Sequence, residues 1–226
     1  MATFVCIHGA GGCAAQWDWL AAELRPRGHE VVAMDLPCDR EVGLDAYVDA
    51  VVEAIGERRG DLVLVAQSLA GFIGPLVCAR VPADLLVLVA AMVPRPGESG
   101  GQWWEATGHA EALAAQELAD DSPEALFVHD VDPAVLAVLG PPRTQTDTLF
   151  AEPWPLAAWP DVPTRFLAAR DDRFFPVDWL RGVVHDRLGI DAIEIPGSHC
   201  AYLSQPRALA DALEKCWAEV GALPRR

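Results

Sequence analysis

In 226 residues no run of basic side chains exceeds a pair, and the formal net charge is −16. Such a chain repels a phosphate backbone, which argues against nucleic acid as a partner. The longest apolar runs are too short to cross a bilayer, so no membrane is expected either. The six cysteines, Cys6, Cys13, Cys38, Cys78, Cys200 and Cys216, form no CxxC pair and no zinc-type spacing. No basic stretch and no apolar leader precede the first strand-like run, so a reduced, cytoplasmic protein is the expectation. Low-complexity tracts are absent too, and 52% hydrophobic against 22% charged residues is a globular composition.

Short apolar runs rich in β-branched residues alternate with segments of helical period. This pattern predicts an α/β fold, a mostly parallel twisted sheet flanked by helices. The expected strands are 3–8, 31–35, 62–67, 85–91, 164–169 and 192–195, about six in all. Leu44, Tyr47, Val48, Val51, Val52 and Ile55 mark one covering helix, with Asp45, Asp49 and Glu53 on its polar side. A last helix is predicted after Ser204, as its cap, with Pro206 in its first turn and Leu209, Leu213, Cys216 and Trp217 inward. Pro75 falls inside the helix expected after 62–67 and should kink it.

Residues 94–163 break the rhythm. They carry Trp103, Trp104, Trp154 and Trp159, many prolines, and short helical patterns near 109–119 and 133–139. The expected organisation is a core of 1–93 and 164–226 with 94–163 inserted as a lid over the carboxyl ends of the strands, where open α/β sheets bind ligands. Trp103 and Trp104 are adjacent and point apart on a helix, so at most one faces a pocket.

Four strands end in residues with chemical potential. His8, Gly9 and Ala10 follow the first, Ser68 the third, Asp171 and Asp172 the fifth, and His199 the sixth. In a parallel sheet these ends share one rim, where a Ser-His-acid set can assemble. Ser68 lies between an apolar strand and a helical pattern, the context that exposes a nucleophile, although a helix cap is the plainer use of such a serine. His199, in "IPGSHCAYLSQP", supplies an imidazole able to take and return a proton near neutral pH. Either aspartate of the pair can hold that imidazole, and the other is then a turn residue. The "HGAGG" turn offers backbone N–H groups to an oxyanion, and it lacks the spacing of a dinucleotide-binding loop.

Taken together, "FVCIHGAGG", "VAQSLAGF", "AARDDRFFP" and "PGSHCAYLSQP" resemble the α/β-hydrolase superfamily, in the chain order Ser, Asp, His. The resemblance runs from the first strand to the last helix and is weakest over 94–163. It implies Ser68 as nucleophile, His199 as general base, Asp172 as the acid, and the backbone N–H groups of Ala10 and Leu69 as oxyanion donors. Asp171 becomes the turn residue. "HGAGGCAAQWDWL" and the final motif look like the small methylesterase and hydroxynitrile-lyase group. The lyase branch typically has threonine where Gly9 stands and lysine where Cys200 stands, so the esterase branch is favoured. The chain departs from the family at Ala66 and Ala70, where elbows usually carry glycine, and in its short N-terminus, which omits the antiparallel strands that often begin the fold.

The expected activity is hydrolysis of a small, fairly apolar ester or lactone through an acyl-enzyme. The alternatives are another reaction of the fold (C–C cleavage, amide cleavage or acyl transfer) and a catalytically silent binding protein on the same scaffold. His8, Gly9, Gln67, Trp103, Trp104 and Trp154 are the candidate substrate contacts. His109, His129 and Asp130, with Glu105 and Glu111, have no metal-ligand spacing, so neither metal nor cofactor is expected. Cys13 and Cys200 flank the site as packing residues. A small molecule is the expected partner, and a homodimer is left open.

Overall fold

The computed structural model describes residues 1–221, so the last five residues assigned above to the core lie outside the described part. Six parallel strands form one sheet: β1 (Thr3–Ile7), β2 (Glu30–Ala33), β3 (Leu62–Gln67), β4 (Leu85–Val89), β5 (Thr164–Ala169) and β6 (Ile193–Ile195). They run in the order β2-β1-β3-β4-β5-β6. The helices are α1 (Asp18–Leu24), α2 (Leu44–Ile55), α3 (Gly74–Cys78), α4 (Gly100–Ala106), α5 (His109–Ala114), α6 (Pro123–Phe127), α7 (Pro133–Leu139), α8 (Thr148–Ala151), α9 (Val177–Leu188), α10 (Ala201–Ser204) and α11 (Pro206–Gly221).

Side chains alternate across the sheet as a two-residue period requires. Val5, Ile7, Leu64, Ala66, Leu88 and Phe166 join one apolar cluster with α2, α3 and α9. Phe4, Cys6, Val63, Val65, Val87 and Leu167 join the other with α1, α10 and α11. Strands β3 and β4 are buried along their whole length, which explains their unbroken apolar sequence.

The chain leaves β1 for β2 on one side and returns to β3 on the other, so the strand order reverses between β1 and β3. Open α/β sheets bind their ligands at the carboxyl ends of the strands flanking such a reversal, where His8 and Ser68 stand here.

Several local expectations need correction. Pro75 kinks nothing: a 3-10 turn, Ser68–Gly71, follows β3, and Pro75 occupies the first turn of the separate helix α3, where no N–H is needed. Ser204 does not cap the last helix; it ends α10, its hydroxyl is buried without a partner, and Pro206 is the first residue of α11. Strand β4 stops short of residue 91 because Ala90 turns to φ +43°. The segment between β4 and β5 holds five short helices, three of them capped by the side chains of Ser99, Ser122 and Asp132. The Arg187 side chain of α9, 3% exposed, pairs with that of Glu98, 9% exposed, at the start of this segment and bonds the carbonyl of Val93.

The need for small residues after β3 falls on glycines other than those expected. A Cβ on Gly71 would stand 1.8 Å from the carbonyl oxygen of Met92, and one on Gly74 would stand 2.9 Å from the Cβ of Ala66. Alanine is therefore accommodated at 66 because Gly74 leaves room for its methyl group. Gly71→Ala should destabilise the protein by about 3 kcal/mol, since the obstacle is backbone. Gly182→Ala, in open space within α9, should stabilise it by about 0.5–1 kcal/mol. Urea midpoints check both; a Gly71→Ala protein of native midpoint would contradict the packing.

Candidate active site

Ser68 follows the last residue of β3 with φ +53°, in the left-handed region that a β-carbon disfavours. The backbone is held there from two directions: the N–H of Met92 donates to the carbonyl of Ser68 at 2.9 Å, and Gly71 lies against the Met92 carbonyl. This sharp turn lifts the hydroxyl above the sheet edge. Leu69 follows in the first turn, where backbone N–H groups have no intrahelical acceptor.

His199 comes from the loop after β6. Its Nε2 lies 3.0 Å from Ser68 Oγ, and its Nδ1 lies 2.8 Å from Asp172 Oδ2. The imidazole and the carboxylate are both nearly solvent-free, at 3% and 0% side-chain exposure. Asp172 Oδ1 accepts the N–H groups of Phe174 and Phe175, each at 2.8 Å, which leaves Oδ2 for the imidazole. A carboxylate at Nδ1 keeps the proton there and leaves Nε2 as the acceptor facing the hydroxyl. The rings of Phe127, Phe174 and Phe175 stand edge-on to His199, with centroids 5.3, 5.2 and 4.9 Å away.

Asp171 takes the structural place. Its carboxylate accepts the N–H of Gly197 at 3.1 Å and its own N–H donates to the Gly197 carbonyl, which ties down the turn preceding His199.

The glycine-rich turn after β1 meets the same rim. His8 is buried; its Nε2 accepts the N–H of Leu36, so Nδ1 carries the proton and donates to the carbonyl of Gly9. Burial pushes its pKa below the ordinary value, and both ring nitrogens are spent on backbone. Gly9 donates to Gln67 Oε1, and a Cβ on Gly9 would stand 2.6 Å from that atom and 2.8 Å from the Ser68 Cβ. Ala10, next in the chain, is exposed.

Of the tryptophans, Trp103 and Trp154 have 0% and 1% of their surface exposed, and their indole N–H groups donate to the carbonyls of Val93 and Phe72. Neither faces a space large enough for water, so the expectation of substrate contact is corrected at both. Trp104 is partly exposed and packs against Phe174 and Phe175. Burial pushes the thiol of Cys200 up to about 12, so beside His199 it is a neutral packing group and no rival nucleophile.

Four rim loops are bonded to the segment between β4 and β5, through residues that sequence reasoning assigned elsewhere or passed over. His109 Nε2–H donates to the carbonyl of Phe174 at 2.7 Å, and Gln116 donates to that of Arg173 at 2.7 Å. Asp130 accepts the N–H of Ser198, and the carbonyl of Phe127 accepts that of Cys200. Arg143 donates its backbone N–H to Gly11 at 2.9 Å and its guanidinium to Leu36. Only the Asp-Asp-Arg-Phe-Phe run advertised its part, as an aspartate two and three residues before the N–H groups it accepts. Among the described residues no three His, Cys, Asp or Glu side chains come together as metal ligands.

A family model described as the alpha/beta hydrolase family matches residues 4–212. "Probable esterase PIR7A" of Oryza sativa is 28% identical over 258 aligned positions, covering 93% of this chain and 94% of that one. "Methylesterase 7" of Arabidopsis thaliana is 24% identical, with 91% and 92% covered. Among solved structures, a pyrethroid hydrolase from Sphingobium faniae JZ-2 superposes with a TM-score of 0.77 at 24% identity, covering 96% of this chain and 97% of that one.

His109 gives a pH test. Burial lowers its pKa, as it does that of His8, so below about pH 6.5 the folded chain takes up these protons less readily than the unfolded chain. Their contribution to stability is complete above that value and is lost progressively below it, as the pH falls through the lower pKa of the folded state. His109→Gln keeps a donor for Phe174 and removes one titration. Its urea midpoint should fall less than the native one between about pH 7.5 and about pH 5; equal falls would contradict the assignment.

Proposed function

This chain belongs to the alpha/beta hydrolase family, and on that premise we propose that it hydrolyses a small, fairly apolar carboxylic ester or lactone at Ser68. The observation that carries the reading is the relay of 3.0 Å from Ser68 Oγ to His199 Nε2 and 2.8 Å from His199 Nδ1 to Asp172. Ester hydrolysis as the reaction class draws further support from relatives named as an esterase and a methylesterase.

In this reading His199 Nε2 takes the hydroxyl proton as Ser68 Oγ bonds to the carbonyl carbon. The negative charge on the carbonyl oxygen meets the N–H groups of Leu69 and Ala10, and one such donor is worth about 3 to 4 kcal/mol in the transition state. Collapse breaks the bond to the alcohol oxygen, which leaves with the proton from His199. Water then attacks the acyl group, giving its proton to His199; the acid departs and Ser68 recovers its proton. Asp172 holds the imidazole and stabilises it when charged.

Segment 94–163 serves as the cover of the site, and the edges of Trp104, Phe127 and Phe174 favour an apolar substrate. The position of Gly9 supports the esterase branch over the lyase branch, because a threonine side chain there would collide with Gln67 and Ser68. Six free thiols suit a reducing cytoplasm.

Ser68→Ala should abolish both labelling by a fluorophosphonate and hydrolysis of a p-nitrophenyl ester. A native protein that neither labels nor hydrolyses would sink the covalent mechanism and favour a silent binding protein. Asp172→Asn should lower kcat by about 10⁴, as expected when the imidazole loses its tautomer. Asp171→Asn should change it little, and the reverse ranking would move the acid by one residue.

A further inference from the structure

Building on that reading of Ser68 and His199, the geometry points to Gln67 as a positioning residue that sets the spacing between the oxyanion loop, the nucleophile and the base. Gln67 ends β3 and is 2% exposed. Its Oε1 accepts the N–H of Gly9 at 3.1 Å, and its Nε2 donates to the carbonyl of His199 at 3.2 Å. The two partners lie 58 and 132 residues away in the chain. One belongs to the loop after β1 and the other to the loop after β6, and β4 and β5 stand between β3 and β6. No sheet hydrogen bond can connect those loops, so one side-chain amide does it from the strand that also carries Ser68.

The site requires an amide. Its tip must present an acceptor to Gly9 and a donor to His199, and a carboxamide carries the two on separate atoms of one neutral, planar group. Asparagine is one methylene shorter. The match extends to Gly9, whose missing Cβ is the space that Gln67 Oε1 fills. Because the N–H of Gly9 is spent on Gln67, that of Ala10 is the next one in the loop left to meet an oxyanion, and Gln67 orients the peptides on either side of it. The bond to the His199 carbonyl fixes the backbone from which the imidazole reaches both Ser68 and Asp172. Gln67 therefore acts through its neighbours; as a substrate contact it is poorly placed, being buried with both ends of its amide engaged.

Two variants test this in the full-length protein. Gln67→Met keeps the volume and removes both bonds, and kcat should fall by up to about 10²-fold with KM little changed, the loss expected when reacting groups are misplaced by about 1 Å. The second-order rate of fluorophosphonate labelling should fall in parallel. Gln67→Glu keeps the acceptor for Gly9 and, once ionised, places a negative charge beside the His199 loop. The charge favours the imidazolium, so the acid limb of kcat/KM should move to higher pH. A Gln67→Met enzyme with native kcat and labelling rate, or a Gln67→Glu pH profile superimposed on the native one, would overturn the assignment. If Gln67→Met does not fold, the pH profile of Gln67→Glu decides alone. Retention of activity in Ser68→Ala would instead overturn the reading of the site on which the inference rests.

Discussion

The turn at Ser68 places a side-chain-bearing residue in the left-handed region of backbone space, which costs of order 1–3 kcal/mol and persists only where the surroundings over-determine it. Here they do. The Ser68 carbonyl is bonded to Met92, Gly71 allows the backbone of the turn to approach the Met92 carbonyl, and β3 beneath is buried along its length. The position of the hydroxyl relative to every other rim loop follows from this turn. Without it the alignment to His199 Nε2 would not form, and the carboxylate of Asp172 would hold an imidazole with nothing to face.

Around that fixed point the loops are held by polar contacts to backbone. Asp172 is committed to two N–H groups of its own loop, Asp171 secures the turn before His199, and Gln67 joins the loops after β1 and β6. From above, His109, Gln116, Asp130 and Arg143 bond the same loops to the segment between β4 and β5. Burial makes the bonds of Gln67 and that of Asp172 to Phe175 the most consequential, because a backbone N–H or carbonyl left unpaired away from water is costly. The segment between β4 and β5 is thus part of the framework that keeps the rim in register.

The core strands and the helix Leu44–Ile55 were legible within a residue or two at most ends, since their apolar periods record which faces the sheet buries. So were the positions of Ser68, Asp172 and His199, because the carboxyl ends of parallel strands share a rim. The tryptophans misled, because bulk and aromaticity are as well suited to filling a core as to lining a pocket: Trp103 and Trp154 went inward and bonded carbonyls. Pro75 misled because the break at Phe72 and Ile73 that makes it a helix start leaves no mark in the apolar pattern.

What the sequence determined by itself is therefore the part governed by local period and chain order: strands, covering helices, and a serine, an aspartate and a histidine at successive strand ends. Tertiary structure alone decided which glycine the tight turn needs, and that the amide of Gln67 links loops distant in the chain. Those outcomes depend on contacts between residues distant in the chain, up to the 58 and 132 positions spanned by Gln67. Side-chain hydrogen bonds and close backbone approaches over such separations follow no period that a linear sequence can display.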